Sequence, residues 1–222
     1  MPNSIATQTV RQEIDLSCPL SFRTAFRFPL QSSLARSEII QGALWLFVPG
    51  IGWLLNMGHR IVMTHRMQHG LPAWPAWTDY GALFRHGAIA FLGMAEYHAP
   101  AVICGFLAWR FSVGWLYVVA ALLWVIATIA VPGYMSHYCF QFDAQEVFNP
   151  LRALSRVFQG RMAYWRAWSI ALAGLAISFA GLLALGVGFL FTSVWFWQVA
   201  GFSFATVFTQ SFDLTGGEAK TR

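Results

Sequence analysis

Apolar residues dominate four stretches of the chain, at 87–109, 113–134, 167–188 and 190–208, and polar residues gather between them. A helix rises 1.5 Å per residue, so each stretch is long enough to cross a hydrocarbon core of roughly 30 Å. Lipid offers no hydrogen-bond partners, and a spanning segment therefore satisfies its own backbone as a helix. The pattern predicts four transmembrane helices, at about 82–109, 113–132, 165–186 and 190–209, with Pro132-Gly133 ending the second.

A further apolar region, Ile39 to Met63, is interrupted by Pro49-Gly50-Ile51-Gly52. Proline removes a backbone donor and glycine permits sharp turns, so the region is either one kinked span or a hairpin. With a hairpin over 37–68 and Pro49, Gly50 and Gly52 at its apex, all 14 Lys and Arg residues except Arg110 lie on one side. Such residues in short loops favour the cytoplasmic side. The charges therefore favour the hairpin, with both termini cytoplasmic. Any unpaired backbone at its apex would have to be buried against other helices.

The composition also indicates a membrane protein. Hydrophobic residues make up 57% of the chain and charged residues 10%, whereas a soluble domain carries about 25% charged residues. We predict an all-α integral membrane protein with a helical membrane domain over 37–212. A polar N-terminal surface segment, 1–36, precedes this domain, and a polar tail, 213–222, follows it. The aromatic patch from Phe26 to Leu30 is typical of an interfacial anchor rather than of a core.

A short amphipathic helix is predicted over 150–162, where Asn149-Pro150 supplies a capping residue and a first-turn proline. Apolar residues at 151, 154, 157 and 158 take one side, and Arg152, Arg156 and Arg161 take the other. This pattern is typical of a helix lying in the plane of an anionic leaflet. We expect these arginines to contact lipid headgroups or an acidic loop of a partner subunit. Nucleic acid is not expected, because basic residues in short loops beside apolar spans are an orientation signal.

Two polar residues in the first predicted span are candidates for a site. Glu96 is the one acidic residue within the four spans, and His98 lies two residues further along. A charged carboxyl in lipid is costly, so Glu96 should be protonated, paired or facing a polar cavity. The alternative is a neutral Glu96 that hydrogen-bonds a neighbouring helix for structure alone. His98 is the histidine best placed to ligate a chlorophyll-type pigment or haem, and a carotenoid is a further candidate, although aromatic stripes more often serve packing.

No pattern in the sequence predicts catalysis or a metal site. Nucleophile elbows, phosphate loops, paired carboxylates and dinucleotide fingerprints are missing, so we do not expect an enzyme. His65 and His69 lie four residues apart, but no second pair of ligands accompanies them. Cys18, Cys104 and Cys139 show no metal or redox spacing. They are interpreted as small buried or interfacial hydrophobes.

The order of motifs in the first third of the chain resembles a known family. Phe26-Arg27-Phe28-Pro29 precedes the Pro49-Gly50-Ile51-Gly52 break, and Gly58-His59-Arg60, Gly70-Leu71-Pro72-Ala73-Trp74 and Trp77-Thr78-Asp79-Tyr80-Gly81 follow it. Phe148-Asn149-Pro150-Leu151 is similar in placement. In these features the chain is similar to the prokaryotic multi-span membrane proteins grouped as family 4013 of the domains of unknown function. The resemblance implies a helical protein of a bacterial inner or photosynthetic membrane and supplies no catalytic residues.

Three functions are open at this point. The leading hypothesis is a non-catalytic accessory or assembly subunit of a larger membrane complex, such as a photosynthetic or respiratory one, because reaction motifs are missing while aromatic and small packing residues are many. The chief alternative is a small transporter or lipid-handling protein that uses Glu96 and the broken hairpin, since discontinuous helices often line such sites. The third is a pigment- or haem-binding subunit that uses His98.

Overall fold

The computed structural model describes residue 16 and residues 18–214, so the predictions for 1–15 and for the tail beyond Leu214 lie outside the described residues. Over 18–214 the chain forms helices and no strand. Within this part the α-helices are α1 (Phe22–Arg27), α2 (Ser33–Trp45), α3 (Ile51–Gln68), α4 (Tyr80–Phe111), α5 (Gly114–Gln141), α6 (Pro150–Gln159), α7 (Arg161–Phe179) and α8 (Val187–Phe212). Short 3₁₀ turns follow α1, α5 and α7, at Phe28–Leu30, Ala144–Glu146 and Ala180–Leu183.

Four helices in the described part are long and apolar enough to cross a membrane. They are α4, α5, α7 with its 3₁₀ extension, and α8. The predicted all-α, multi-pass membrane fold is confirmed.

Helix α5 does not end at Pro132, where the sequence predicted the end of a span. It continues to Gln141, and the turn that follows the proline is tightly packed, with Tyr134 fully buried. Gly133 lets α6 approach closely, because a Cβ at this position would clash with the backbone carbonyl of Ala153. Packing of this quality offsets the cost of about 3 kcal/mol for a proline inside a helix.

Helices α2 and α3 form the predicted hairpin. The side-chain amide of Asn56 donates to the carbonyl of Gly42 at 3.0 Å, and His59 contacts Glu38 at 2.6 Å. Contacts therefore move back along α2 as they advance along α3, as they must between two antiparallel arms.

The apex of the hairpin is built on two glycines. Gly50 has φ +79°, a conformation that glycine adopts without strain. A Cβ on Gly52 would clash with the carbonyl oxygen of Trp45, so glycine allows the arms to meet. Pro49 and Gly50 are exposed. Burial is not required there, because local bonds pair the backbone, as where the Gly52 N–H donates to the Val48 carbonyl at 2.9 Å.

Helix α3 runs parallel to α8 and lies alongside it. Gln68 Nε2 donates to Thr209 Oγ1 at 3.4 Å, and eight residues earlier on both helices the Arg60 side chain lies against Gly201. Gly201 is 14 residues from the first residue of α8 and 11 from the last, which is about 21 Å and 17 Å along the axis. Arg60 therefore lies beside the middle of a candidate span.

Phe28 and Pro29 of the aromatic patch before α2 lie in the core, contrary to the prediction of an interfacial anchor, whereas Leu30 is 49% exposed. Phe28 is 3% exposed. Its ring stacks on Phe202 of α8 at a centroid distance of 4.4 Å and packs against Trp74 at 4.7 Å. Three aromatic rings from distant parts of the chain meet here, and burying their apolar area against one another stabilises Phe28 in the core.

The long helices pack in two pairs. Helix α4 packs along α5 and against α3, and α7 packs along α8, whereas α5 and α8 share few contacts. The outer surfaces are largely open: only 11% of the most apolar stretch of α5 is buried within the protein. Lipid or other protein must cover this surface, because exposed apolar area is unfavourable in water.

Candidate functional site

A cavity of about 430 Å³ lies between the two helix pairs, with α3 closing one side. Its volume falls in the usual range for small-molecule sites, about 300–1,000 Å³. The walls are mainly apolar and aromatic, and they include Trp124 of α5, Trp168 of α7 and Phe196, Trp197 and Phe204 of α8. These walls favour a hydrocarbon chain or a flat apolar ring over a polar solute.

The lining becomes polar on the side that α3 closes. Arg60 and Thr64 of α3 lie there with Ser136 and Cys139 of α5. This face of the cavity therefore offers hydrogen-bonding groups and a positive charge, and His98 of α4 and Thr128 of α5 add two neutral polar groups elsewhere in the lining. The distribution suits an amphiphilic molecule.

Arg60 is the charged group of this polar face. Its guanidinium carbon lies 4.8 Å from the centroid of the Trp197 ring, a cation–π contact. Its Nε is buried and has no hydrogen-bond partner among the described residues. Among the described residues, the ion pairs join Glu38 to His59 and Glu146 to Arg152 and Arg156, and none of them involves Arg60. A guanidinium stays protonated, so this charge beside the middle of a candidate span is only partly compensated.

A second, small cavity of about 30 Å³ adjoins the large one and shares Arg60, Met94 and Trp197 with it. Gln198 lines this small cavity and is 2% exposed. Both its Oε1 and its Nε2 are buried and have no partner within the described residues. Buried polar groups are nearly always hydrogen-bonded, so the Gln198 amide indicates a polar molecule at this position.

His59 lies on another wall of the small cavity and is held firmly. Its Nε2 is 2.6 Å from the Glu38 carboxylate, and its ring stacks on Trp77 at a centroid distance of 4.4 Å. The Ala76 N–H also donates to the Glu38 carboxylate, at 3.2 Å. The imidazole is thereby fixed in orientation beside Arg60.

Sequence reasoning did not assign Glu38, Arg60 or Gln198 to a site. The sequence did carry a signal for Arg60, because an ionisable residue within an apolar membrane segment is by itself a functional candidate. Arg60 was instead counted with the loop arginines that orient the protein. Gln198 carried no signal, since a single glutamine in an apolar span is also explained by helix packing.

His98 lines the large cavity. Its Nδ1 donates to the Met94 carbonyl at 2.7 Å, and its Nε2 lies 3.3 Å from the Thr128 hydroxyl. A backbone bond at one ring nitrogen is the usual support for a histidine that ligates through the other. Nε2 is thus the nitrogen that could ligate a pigment or haem iron, on giving up its contact with Thr128, and Trp124 packs edge-on against the ring at 4.6 Å.

Glu96 does not share this site. Its side chain is exposed on α4, and it does not line either cavity. The predicted polar pair of Glu96 and His98 is not brought together, because residues two apart on a helix point about 200° around its axis.

The arginines near α6 do not all face outward. Glu146 pairs with Arg152 at 2.6 Å and with Arg156 at 2.5 Å. Burial acts to raise the pKa of Glu146, but the hydrogen bonds and charges of Arg156 and Arg152 outweigh it and hold that pKa below its ordinary value. Arg156 is buried and is not available to lipid headgroups, contrary to the prediction. Arg152 and Arg161 are exposed.

The apolar residues predicted to share one side of α6 also differ in exposure. Leu151 and Phe158 are 80% and 79% exposed, whereas Val157 is buried at 6%. The reason is that α6 packs on α5 through the face that carries Ala153, Arg156 and Val157. Exposed apolar and basic residues therefore alternate on the outer face, as suits an interfacial position.

Residues 18–214 contain no cluster of three or more His, Cys, Asp or Glu side chains arranged to hold a metal ion. No family model, curated protein or solved structure matches the chain. The resemblance to family 4013 of the domains of unknown function therefore stays a prediction.

Proposed function

We propose that this protein binds a membrane-dissolved amphiphile, such as a lipid, in the cavity between its two helix pairs. The observation that carries this proposal is the cavity of about 430 Å³, with its aromatic walls and its polar face at Arg60. The apolar part of the ligand lies among the tryptophans, and its polar end points to α3. This is the lipid-handling alternative with Arg60, rather than Glu96, as the polar residue.

A cavity-filling variant tests this proposal. Ala171 lines the large cavity and is 3% exposed, so Ala171→Phe places a ring in the ligand's space. Ala121 is exposed on α5 and lines neither cavity, so Ala121→Phe is the matched control. Lipid extraction and native mass spectrometry of the protein purified from its membranes give the bound amphiphile. We expect near-complete loss of this molecule in Ala171→Phe and wild-type occupancy in Ala121→Phe.

Two results would contradict the proposal. One is a wild-type protein that carries no amphiphile above the detergent background. The other is equal occupancy in Ala171→Phe and wild type, with both folded by circular dichroism.

A second proposal is that the chain is a non-catalytic accessory or assembly subunit of a larger membrane complex, such as a photosynthetic or respiratory one. The observation that favours it is the open surface of α4 and α5, where Trp109, Trp115 and Leu122 are 69%, 65% and 59% exposed. Aromatic residues are enriched at subunit interfaces. Purification in a mild detergent is expected to give a large assembly with identifiable subunits. A single monomer peak that holds all cellular copies would end this proposal.

The placement in the cell follows from the charges and stays a proposal. We place the protein in a bacterial inner or photosynthetic membrane with both termini cytoplasmic, because Lys and Arg in short loops orient spans in this way. Pigment or haem ligation by His98 has a direct test, the absorption spectrum of the purified protein. A colourless sample would remove it.

A further inference from the structure

We propose that the cavity selects an amphiphile whose polar end is a small oxyanion, a carboxylate or a phosphate, with Arg60 as its counter-ion and Gln198 as a second donor. This inference rests on the proposed function, since it names the chemical class of the cavity's ligand.

The first step is the charge. The acidic side chains near this region are used elsewhere or point away: Glu38 bonds His59, Glu146 bonds Arg152 and Arg156, and Glu96 is exposed on α4. The Trp197 face offsets only part of a guanidinium charge. An anion is the remaining group that neutralises Arg60 in a low-dielectric environment.

The second step is the set of unpaired donors. Arg60 Nε and Gln198 Nε2 are buried without a partner among the described residues, and both side chains line the small cavity. A carboxylate or phosphate oxygen there accepts from both. Hydrogen bonds between a charged donor and an oxyanion are the strong ones. An alcohol or ester end accepts the same bonds but leaves the charge unneutralised.

The third step is size. The small cavity holds about 30 Å³, and a water molecule needs about 10–15 Å³ on this measure. It has room for the oxygens of one compact group or for about two waters, one of which can donate to Gln198 Oε1. A phosphocholine or phosphoethanolamine group is too large, and it would bring an ammonium beside the guanidinium. The site therefore favours a chain that ends in the oxyanion.

The same oxyanion chemistry could come from a free anion. The aromatic cavity that adjoins Arg60 argues for an attached hydrocarbon chain, because a free phosphate would leave it unfilled. Palmitate and hexadecyl phosphate carry such a chain, hexadecanol carries the same chain without the charge, and inorganic phosphate carries the charge without the chain.

Equilibrium binding of these four compounds to the full-length protein in neutral detergent tests the inference. We expect the wild type to bind palmitate and hexadecyl phosphate at least about tenfold more tightly than hexadecanol, because hydrogen bonds to a charged acceptor are roughly twice as strong as those to a neutral oxygen. Arg60→Gln should lose this preference, with a much smaller change in its hexadecanol affinity, and Arg60→Lys should keep most of the preference. Arg110→Gln, at an exposed arginine, is the matched control and should bind as wild type does.

The outcomes separate the two levels of the argument. Binding of none of the three chain compounds would overturn the proposed function itself. Equal affinity of the wild type for hexadecanol and hexadecyl phosphate would leave the cavity as an amphiphile site and overturn the oxyanion inference. This comparison needs no variant, so it holds even if Arg60→Gln does not fold. Displacement of hexadecyl phosphate by an equal concentration of inorganic phosphate would show a free-anion site and would also overturn the inference.

Discussion

Replacement of Glu38 by leucine removes the acceptor at the centre of the hairpin. The carboxylate is 2.6 Å from His59 Nε2 and accepts the Ala76 N–H at 3.2 Å. Glu38 is 3% exposed and His59 is 2% exposed. Water cannot replace the lost oxygens easily, so Glu38→Leu leaves two buried polar groups without a partner.

The magnitude follows from these two groups. An orphaned buried donor or acceptor costs about 1–3 kcal/mol, so Glu38→Leu should lower the free energy of unfolding by about 2–6 kcal/mol. The range of about 3–5 kcal/mol for breaking a buried pair lies inside it. Glu38→Gln should cost less than Glu38→Leu, because one carboxylate oxygen accepts both bonds and the glutamine carbonyl oxygen can take its place. The double variant Glu38→Leu, His59→Leu should cost less than the sum of the single variants, because leucine at 59 needs no partner.

Unfolding in mixed micelles, followed by circular dichroism as sodium dodecyl sulfate is added, measures these differences. Glu96→Leu and Glu96→Gln are the matched controls, since the same chemical changes are made at an exposed carboxylate on α4. They should change the free energy of unfolding by less than about 0.5 kcal/mol.

Two results would contradict this prediction: equal free energies of unfolding for Glu38→Leu and Glu96→Leu, or additive costs of Glu38→Leu and His59→Leu. Either result would mean that the pair contributes nothing to the hairpin.

Three further predictions concern helix contact, pH and topology. Gly87→Ala should destabilise the protein by about 1–3 kcal/mol, because a Cβ there would clash with the Leu54 carbonyl. Gly105→Ala should be neutral in the same assay, because the nearest atom to its Cβ would lie at 3.9 Å. The Glu146 pKa is lowered on folding, so its stabilising effect is present above the unfolded value of about 4.3 and is lost as pH falls through the folded pKa. The free energy of unfolding should therefore fall less steeply with acid in Glu146→Gln than in the wild type, and identical titrations would contradict this. In a cysteine-free protein, an impermeant thiol reagent should label Phe22→Cys and Leu71→Cys from one side of sealed vesicles and Phe111→Cys from the other; labelling of the first two from opposite sides would exclude the hairpin.

The sequence predicted the elements that local physics decides. Four apolar stretches of spanning length became α4, α5, α7 and α8. The break at Pro49-Gly50 became a hairpin turn, since glycine there permits the positive φ that the turn requires. These features depend on the chain's neighbours along the sequence.

The errors came where distant contacts outweigh local preference. Pro132 should have ended a helix, but packing of the next turn against α6 carries α5 to Gln141. Phe28 should have been an anchor, but Trp74 and Phe202 enclose it.

Consecutive residues were enough to predict a helical membrane protein with a hairpin at Pro49-Gly50, because apolar length and turn chemistry depend on neighbours along the chain. The site forms only in the folded protein, where α3 lies beside α8 and Arg60 packs against Gly201 and Trp197. Gln198 joins it from α8, more than a hundred residues away along the chain. A buried charge or amide has a partner only if another helix brings one to it, and which helices meet cannot be predicted from a local sequence pattern.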